Sequence, residues 1–228
     1  MKSLQDTDKQ AREWLNQATK GIGEHVVSPL TKTLTDYGKF FLDIIVKIIN
    51  NLDINKAKEA VKKLKKTYPH EQPREIANRL IQEKAIFATI TAYTGVGPKT
   101  LNTLVEMVCQ IAMCYGFEDL DSPEKKGEIL VIYLIAFSIN KLRKRVLEFL
   151  EACTTISAKV LDPATTLILF QAVGYAAREF YEAKSKAKSF IELGKKVEAY
   201  LEEAISEMAA VEKVVDQAVS MKEQLVLS

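Results

Sequence analysis

Apolar residues recur at helical spacing in successive segments of the chain, and no segment alternates as a strand would. The first stripe lies within residues 40–52, with Asp43 and Lys47 on the opposite side, and consists of Phe40, Phe41, Ile44, Ile45, Ile48, Ile49 and Leu52. Because positions three and four apart share one face of a helix, this pattern predicts an amphipathic α-helix. Ser28-Pro29 precedes it as an N-cap followed by proline at the first helical position.

The next two segments begin with comparable signals. Asp53 is placed to cap a helix that ends before Tyr68-Pro69 and has one apolar arc, made of Ala57, Ala60, Val61 and Leu64. Pro73 begins another long helix that runs to about Tyr93. Gly95-Val96-Gly97-Pro98 then interrupts the chain before a further helix with an apolar face, made of Leu101, Leu104, Val105, Val108, Ile111, Ala112 and Tyr115. Two helices joined by so short a loop are predicted to be antiparallel neighbours.

Glycine and proline also mark the later boundaries. Gly116 is placed as the left-handed residue that ends the helix before it. Ser122-Pro123 predicts the start of a long helix through about Ala152, and Asp162-Pro163 predicts another start. The apolar run Ile129–Ile139 is too short to cross a hydrocarbon core of about 30 Å. It therefore predicts a buried helix.

Beyond Ala176 the apolar spacing becomes a heptad pattern. Its members are Phe180, Ala183, Ala187, Phe190, Gly194, Val197, Leu201, Ala204, Met208, Val211, Val215 and Ala218. Alternating steps of three and four are typical of a coiled-coil seam. Such a seam is covered either by its own chain or by a second copy through residues 176–218. We favour the first interpretation, because small seam residues permit close antiparallel packing.

These signals together predict an all-α fold, a multi-helix bundle of antiparallel helical hairpins with a long C-terminal heptad-patterned helix. We assign residues 1–228 to a single domain. Residues 22–180 form its predicted helical core, and residues 181–228 form a coiled-coil-like helix that packs back on that core. No repeat or low-complexity linker divides the chain.

Composition restricts the setting of this fold. The chain has 228 residues, 47% of them hydrophobic, and a net charge of +2, which is too small for a global nucleic-acid signal. Its three cysteines have no paired spacing, which predicts reduced thiols. Met1 to Lys20 is polar, without the apolar stretch of a signal peptide. We therefore expect a cytoplasmic protein, either free or peripheral at the inner face of the membrane.

Common catalytic and metal-binding patterns are missing from the sequence. His25 and His70 have no partner at metal-ligand spacing, so no metal, cofactor or catalytic residue is predicted. The segment from Gly95 to Thr100 fits neither phosphate-loop signature and follows a helix instead of a strand. Glu106 lies on a polar arc with Gln110, so we expect it in solvent or a polar groove. These features disfavour an enzyme, although they leave a hydrolase without a recognisable site as a third hypothesis.

Basic residues form two clusters. The first lies opposite the apolar arc of the helix that Asp53 begins and consists of Lys56, Lys58, Lys62, Lys63, Lys65 and Lys66. The second follows the apolar run and consists of Lys141, Arg143, Lys144 and Arg145. One apolar and one cationic face are typical of a helix on a membrane surface, where each lysine contributes about 1 kcal/mol near anionic lipid. The alternative is a solvated face over a core stripe; nucleic acid is disfavoured because aromatic residues are not interleaved.

Three motifs lie within residues 77–180: Ala85-Ile86-Phe87-Ala88 with the following Gly95, Gly97 and Pro98, the segment around Tyr115-Gly116, and the glycine- and alanine-rich stretch Phe170–Phe180. In these motifs the chain resembles the EcsC family, named after a protein encoded beside an ABC transporter in a bacterial operon. Asn102 and Thr103 stand where the family tends to have an aspartate, so a role of that carboxylate does not transfer.

The resemblance implies a membrane-associated accessory protein. Our first hypothesis is therefore a non-enzymatic helical protein on the cytoplasmic membrane surface, accessory to a transporter or other membrane machinery. The two basic clusters are its candidate contacts with an anionic membrane or a membrane protein complex, and the hairpin around Gly95–Pro98 is a candidate insertion tip. The alternative is a cytosolic assembly scaffold that pairs through the heptad seam.

Overall fold

The structure is a computed structural model that describes residues 4–20, 42–92, 97–137, 143–154 and 162–186. Helices occupy most of these residues and no strand occurs among them, which confirms the all-helical prediction for this part of the chain. The helices are α1 (Leu4–Ala18), α2 (residues 42–50), α3 (Ile54–Thr67), α4 (Pro73–Ala92), α5 (Gly97–Cys114), α6 (Pro123–Phe137), α7 (Arg143–Thr154) and α8 (Pro163–Lys186).

Side-chain caps begin three helices where the sequence predicts them. The Asp53 carboxylate accepts a hydrogen bond from the Lys56 amide at 2.9 Å and so caps α3. The Ser122 hydroxyl accepts one from the Lys125 amide at 3.3 Å at the start of α6, and Asp162 accepts one at 2.8 Å from the Thr165 amide at the start of α8. These side chains satisfy amides that have no partner inside their helices.

Gly116 ends the segment that follows α5. Its φ of +90° lies in the left-handed region, as the sequence predicts, and the Phe117 amide donates back to the Ala112 carbonyl at 3.1 Å. This backbone conformation favours glycine because a Cβ atom would strain it. The turn allows Phe117 to pack beside Tyr181 of α8, with ring centroids 5.5 Å apart.

The core lies where α5, α6 and α8 pack together. Every residue of α6 from Gly127 to Phe137 is buried, so the predicted buried helix is confirmed for its described part. Helix α4 packs against α5 and α8, α3 against α5, and α7 against α5 and α8. Helix α1 packs against α6 through Ala11, Trp14 and Ala18, so the core also includes a helix before residue 22. The antiparallel hairpin arrangement stays a prediction.

The predicted boundary at residue 180 falls inside a helix. Helix α8 continues to Lys186, and the first two seam residues, Phe180 and Ala183, are buried in the core of this chain. The rest of the heptad seam, residues 187–228, lies outside the described residues. Ser28-Pro29 and His25 also lie outside the described residues. So do residues 138–142, the part of the predicted single helix that lies between α6 and α7 in the sequence.

Candidate functional site

Helix α3 carries the first basic cluster and is anchored by its opposite side. Ala57 and Val61 are buried and Leu64 is partly buried, and the helix packs against α5. Burial of this narrow apolar stripe leaves Lys56, Lys62, Lys63 and Lys66 exposed on the opposite arc. Lys58 and Lys65 lie nearer the contact with α5. The first basic cluster is therefore brought together on one helix.

Three of these lysines have partners within the described residues. Lys58 forms an ion pair with Glu118, which lies beyond the end of α5. Lys62 pairs with Glu59 at 2.9 Å, and the Lys65 ammonium donates a hydrogen bond to the Met113 carbonyl at 3.1 Å. The hydrogen bond from Lys58 lowers the pKa of Glu118, and that between Lys62 and Glu59 raises the pKa of Lys62. These contacts help to hold α3 on α5.

Lys56, Lys63 and Lys66 form the remaining group, which we call the free lysine triad. All three are exposed, and within the described residues their ammonium groups have no ion-pair partner. Lys66 also lies in the last turn of α3, where a cation complements the negative end of the helix dipole. The triad is the part of the predicted basic face whose charge is left for an external anion.

The second predicted basic cluster is less well defined. Lys141 and the side chain of Arg143 lie outside the described residues. Lys144 is fully solvated and pairs with Glu148 at 3.8 Å, while Arg145 is only half-buried on α7. The described residues thus place two of the four basic side chains on a helix that packs against α5 and α8, separate from α3.

The described residues that carry the family resemblance lie in helix turns and in contacts between helices. Gly97 and Pro98 form the first turn of α5, and Gly95 lies outside the described residues. The Tyr115 hydroxyl lies 3.5 Å from a Glu182 oxygen and donates to it. Burial, reinforced by the Glu182 charge, raises the pKa of Tyr115. Tyr115 and Gly116 therefore link the end of α5 to α8.

Groups that could carry chemistry are placed in unreactive settings. Burial raises the pKa of Cys109 far above its usual value and that of Cys114 to about 12, so neither thiol is poised as a thiolate nucleophile. Glu106 is half-buried and pairs with Lys84 of α4 at 3.0 Å. His70 is exposed in the turn before α4. Within the described ranges, no group of acidic, cysteine or histidine side chains could hold a metal ion.

A buried ionic cluster joins α4 to α8, and the sequence analysis did not predict it. Arg74 pairs with Glu179 at 2.9 Å and also with Glu182, whose second oxygen binds Lys186. Arg178 pairs with Glu179 and donates to Asn78 at 2.7 Å. The available signal was the position of three charged residues, Arg178, Glu179 and Glu182, among small and aromatic residues of a buried helix. Such charges require partners from another element.

A second ionic cluster joins α6 to α8. Glu128 is almost fully buried and pairs with Lys125 at 2.9 Å and with Lys184. Both ammonium groups lie 5.4 Å from the centroid of the Phe117 ring. Burial, together with the neighbouring Lys125, lowers the pKa of Lys184 despite the hydrogen bond to Glu128. Glu124 also pairs with Lys125 at 3.3 Å and with Lys184 at 3.5 Å, so two carboxylates balance two ammonium groups and the cluster serves packing of α6 on α8.

Comparison of the chain with protein-family models, with curated proteins and with solved structures finds no match. Among the described residues, no helix has the length and apolar character needed to cross a membrane.

Proposed function

We propose that this protein is a non-enzymatic helical protein that binds the cytoplasmic membrane surface peripherally through α3 and is accessory to a transporter or other membrane machinery. The observation that carries the proposal is the free lysine triad, three exposed ammonium groups on a helix whose other side packs on the core. The resemblance to the EcsC family supports the accessory role.

The physical basis of the binding is the attraction between lysines and anionic headgroups. Each basic residue near an anionic leaflet strengthens binding about fivefold at low salt. Three lysines on one surface are therefore expected to raise the affinity for an anionic membrane roughly a hundredfold. Because salt screens surface charges within about 8 Å at physiological ionic strength, this contribution falls steeply as salt rises.

Sedimentation with liposomes tests the proposal. The protein should bind vesicles that contain phosphatidylserine more strongly as the anionic fraction rises, and less strongly as salt rises. The variant Lys56→Gln/Lys63→Gln/Lys66→Gln should lose most of this salt-sensitive binding while its helical circular dichroism is retained, since all three side chains are exposed.

The matched control is Lys9→Gln/Arg12→Gln/Lys20→Gln, which removes the same charge from exposed positions on and just after α1. This control should bind anionic vesicles nearly as well as the parent. Equal losses in the two variants would contradict a role specific to α3, and absence of binding to any anionic vesicle would remove the proposal. For the accessory role, a transporter ATPase gene beside the gene of this protein would be supporting genetic context.

A further inference from the structure

The exposed face of α4 changes character along its length. Its first half exposes Glu75, Arg79, Gln82 and Glu83, whereas its second half exposes Ile86, Phe87 and Ile90, with 57%, 56% and 62% of their surface open. Only one other large apolar residue among the described residues, Leu147 of α7, is exposed to a comparable extent. We call Ile86, Phe87 and Ile90 the apolar end of α4.

Charge is almost absent from this end of the α4/α5 pair. The ion pair between Lys84 and Glu106 joins the two helices, and between these residues Lys99 is the one charged residue in the sequence. Hydroxyl, amide, aromatic and aliphatic side chains make up the remainder. Helix α4 therefore carries its charged residues up to Lys84 and none after it, while α5 carries only Lys99 and Glu106.

We propose that the apolar end of α4 enters the interfacial layer of a lipid bilayer. This inference rests on the proposed function, because it adds an insertion site to a protein already at the membrane. A docked protein helix would require apolar positions along several turns of α4, whereas these three residues span about one turn. The short apolar end of α4, which follows the charged residues of the same helix, instead fits the interfacial layer of a bilayer, because the polarity of that layer falls with depth.

The dimensions match shallow insertion. Residues 86 and 90 are separated by about 6 Å along a helix axis. Interfacial helices bury their apolar residues about 5–10 Å into the boundary between headgroups and acyl chains. Insertion to this depth would cover the apolar end and leave the Lys84–Glu106 ion pair at the headgroups, where charges remain solvated.

Two tryptophan reporters on α4 test this inference. Phe87→Trp places a fluorophore in the apolar end, and Gln82→Trp places one on the polar half of the same exposed face. The single native tryptophan, Trp14, is buried and supplies a constant background. With phosphatidylcholine vesicles in high salt, the Phe87→Trp emission should shift to the blue and be quenched by brominated acyl chains. The Gln82→Trp emission should change little.

A removal experiment complements the reporters. The variant Ile86→Gln/Phe87→Gln/Ile90→Gln should lose the salt-resistant part of vesicle binding, by about tenfold for each large side chain withdrawn from the layer. Leu147→Gln, which removes an exposed leucine on α7, is the matched control and should retain that binding. Circular dichroism of both variants verifies folding, which is expected because the substituted side chains are exposed.

The outcomes separate this inference from the α3 proposal. Neutral vesicles at high salt report only on the apolar end, whereas anionic vesicles at low salt report on the free lysine triad. No quenching of Phe87→Trp on vesicles that the protein binds would overturn the inference and leave the α3 proposal standing. A Phe87→Trp emission already blue-shifted and shielded from iodide before vesicles are added would also overturn it, because protein would then cover this end.

Discussion

Arg74 and Glu182 lie 108 positions apart in the sequence, and their side chains form an ion pair that ties the start of α4 to the end of α8. Arg74 also pairs with Glu179 at 2.9 Å, so one guanidinium bridges two buried carboxylates, while Arg178 and Lys186 supply the further positive charges. Burial by itself would lower the pKa of Arg74, but its hydrogen bonds with Glu182 and Glu179 outweigh burial and raise it. The packing of α8 on α4 therefore depends on the charged form of both carboxylates.

Acid should weaken this contact. Burial alone would raise the pKa of Glu182, but hydrogen bonds from Lys186 and Arg74 lower it below its ordinary value of 4.5. A carboxylate with a lowered pKa in the folded state contributes stability above its unfolded pKa, and that contribution is lost as pH falls through the folded value. Urea unfolding between about pH 7 and about pH 3.5 should show stability falling below about pH 4.5.

Glu182→Gln isolates this contribution. The variant should be less stable than the parent by about 1.5–3 kcal/mol at neutral pH, because a charged hydrogen-bond acceptor is lost. It should also lose less stability on acidification, since the titrating group is absent. Glu83→Gln, at an exposed position of α4, is the matched control. An unchanged acid dependence in Glu182→Gln would show that other carboxylates control it.

Local signals were sufficient for the starts of α3, α6 and α8 but not for the contacts between helices. Asp53, Ser122 and Asp162 cap helices because the capping atoms lie within three residues of the amides they bind. The partners of Arg74 could not be predicted, because no local pattern selects two glutamates more than a hundred positions away.

In the candidate site, too, the local pattern was predictable and the contacts between helices were not. The helical wheel predicted the basic face of α3, but it could not show that Glu118 neutralises Lys58 or that the Met113 carbonyl binds Lys65. Those partners belong to the segment around the end of α5, and only the packing of α3 on α5 identifies them. The free lysine triad is therefore a result of tertiary structure as much as of sequence. The sequence likewise did not show which apolar residues of α4 are exposed, because apolar residues occur on several sides of that helix.

Gly127 permits close contact between α1 and α6. A Cβ atom at this position would overlap the Trp14 carbonyl oxygen of α1, so Gly127→Ala must displace that backbone. We expect a loss of about 1–3 kcal/mol in unfolding free energy, the usual cost of overpacking. The emission of Trp14, which is 3% exposed, should shift to the red as α1 moves.

Gly174→Ala is the control for the Gly127 prediction. A Cβ atom at Gly174 would lie 2.6 Å from the Ile81 side chain, so this substitution disturbs the contact between α4 and α8. Its effect on stability should be comparable, but the emission of Trp14 should stay at the wavelength of the parent. Equal red shifts in both variants would indicate general loosening instead of local displacement of α1.

The heptad seam after α8 can be tested by truncation, and the structure determines where to cut. A cut after Phe180 would also remove Glu182 and Lys184, which bind α4 and α6, so unfolding after that cut would not show what covers the seam. A cut after Lys186 keeps α8 and both ionic clusters. We predict that residues 187–228 pack on their own chain, because the first two seam residues, Phe180 and Ala183, are already buried in its core.

On that basis the chain truncated after Lys186 should unfold at a lower temperature and aggregate, since apolar core surface becomes exposed. Leu201→Glu in the full-length chain should lower stability without changing the mass measured by analytical ultracentrifugation. If the seam instead pairs two copies, the full-length protein should sediment as a dimer, and both changes should produce a folded monomer with helical circular dichroism. That second set of results would show the intramolecular prediction to be wrong and would support the assembly scaffold.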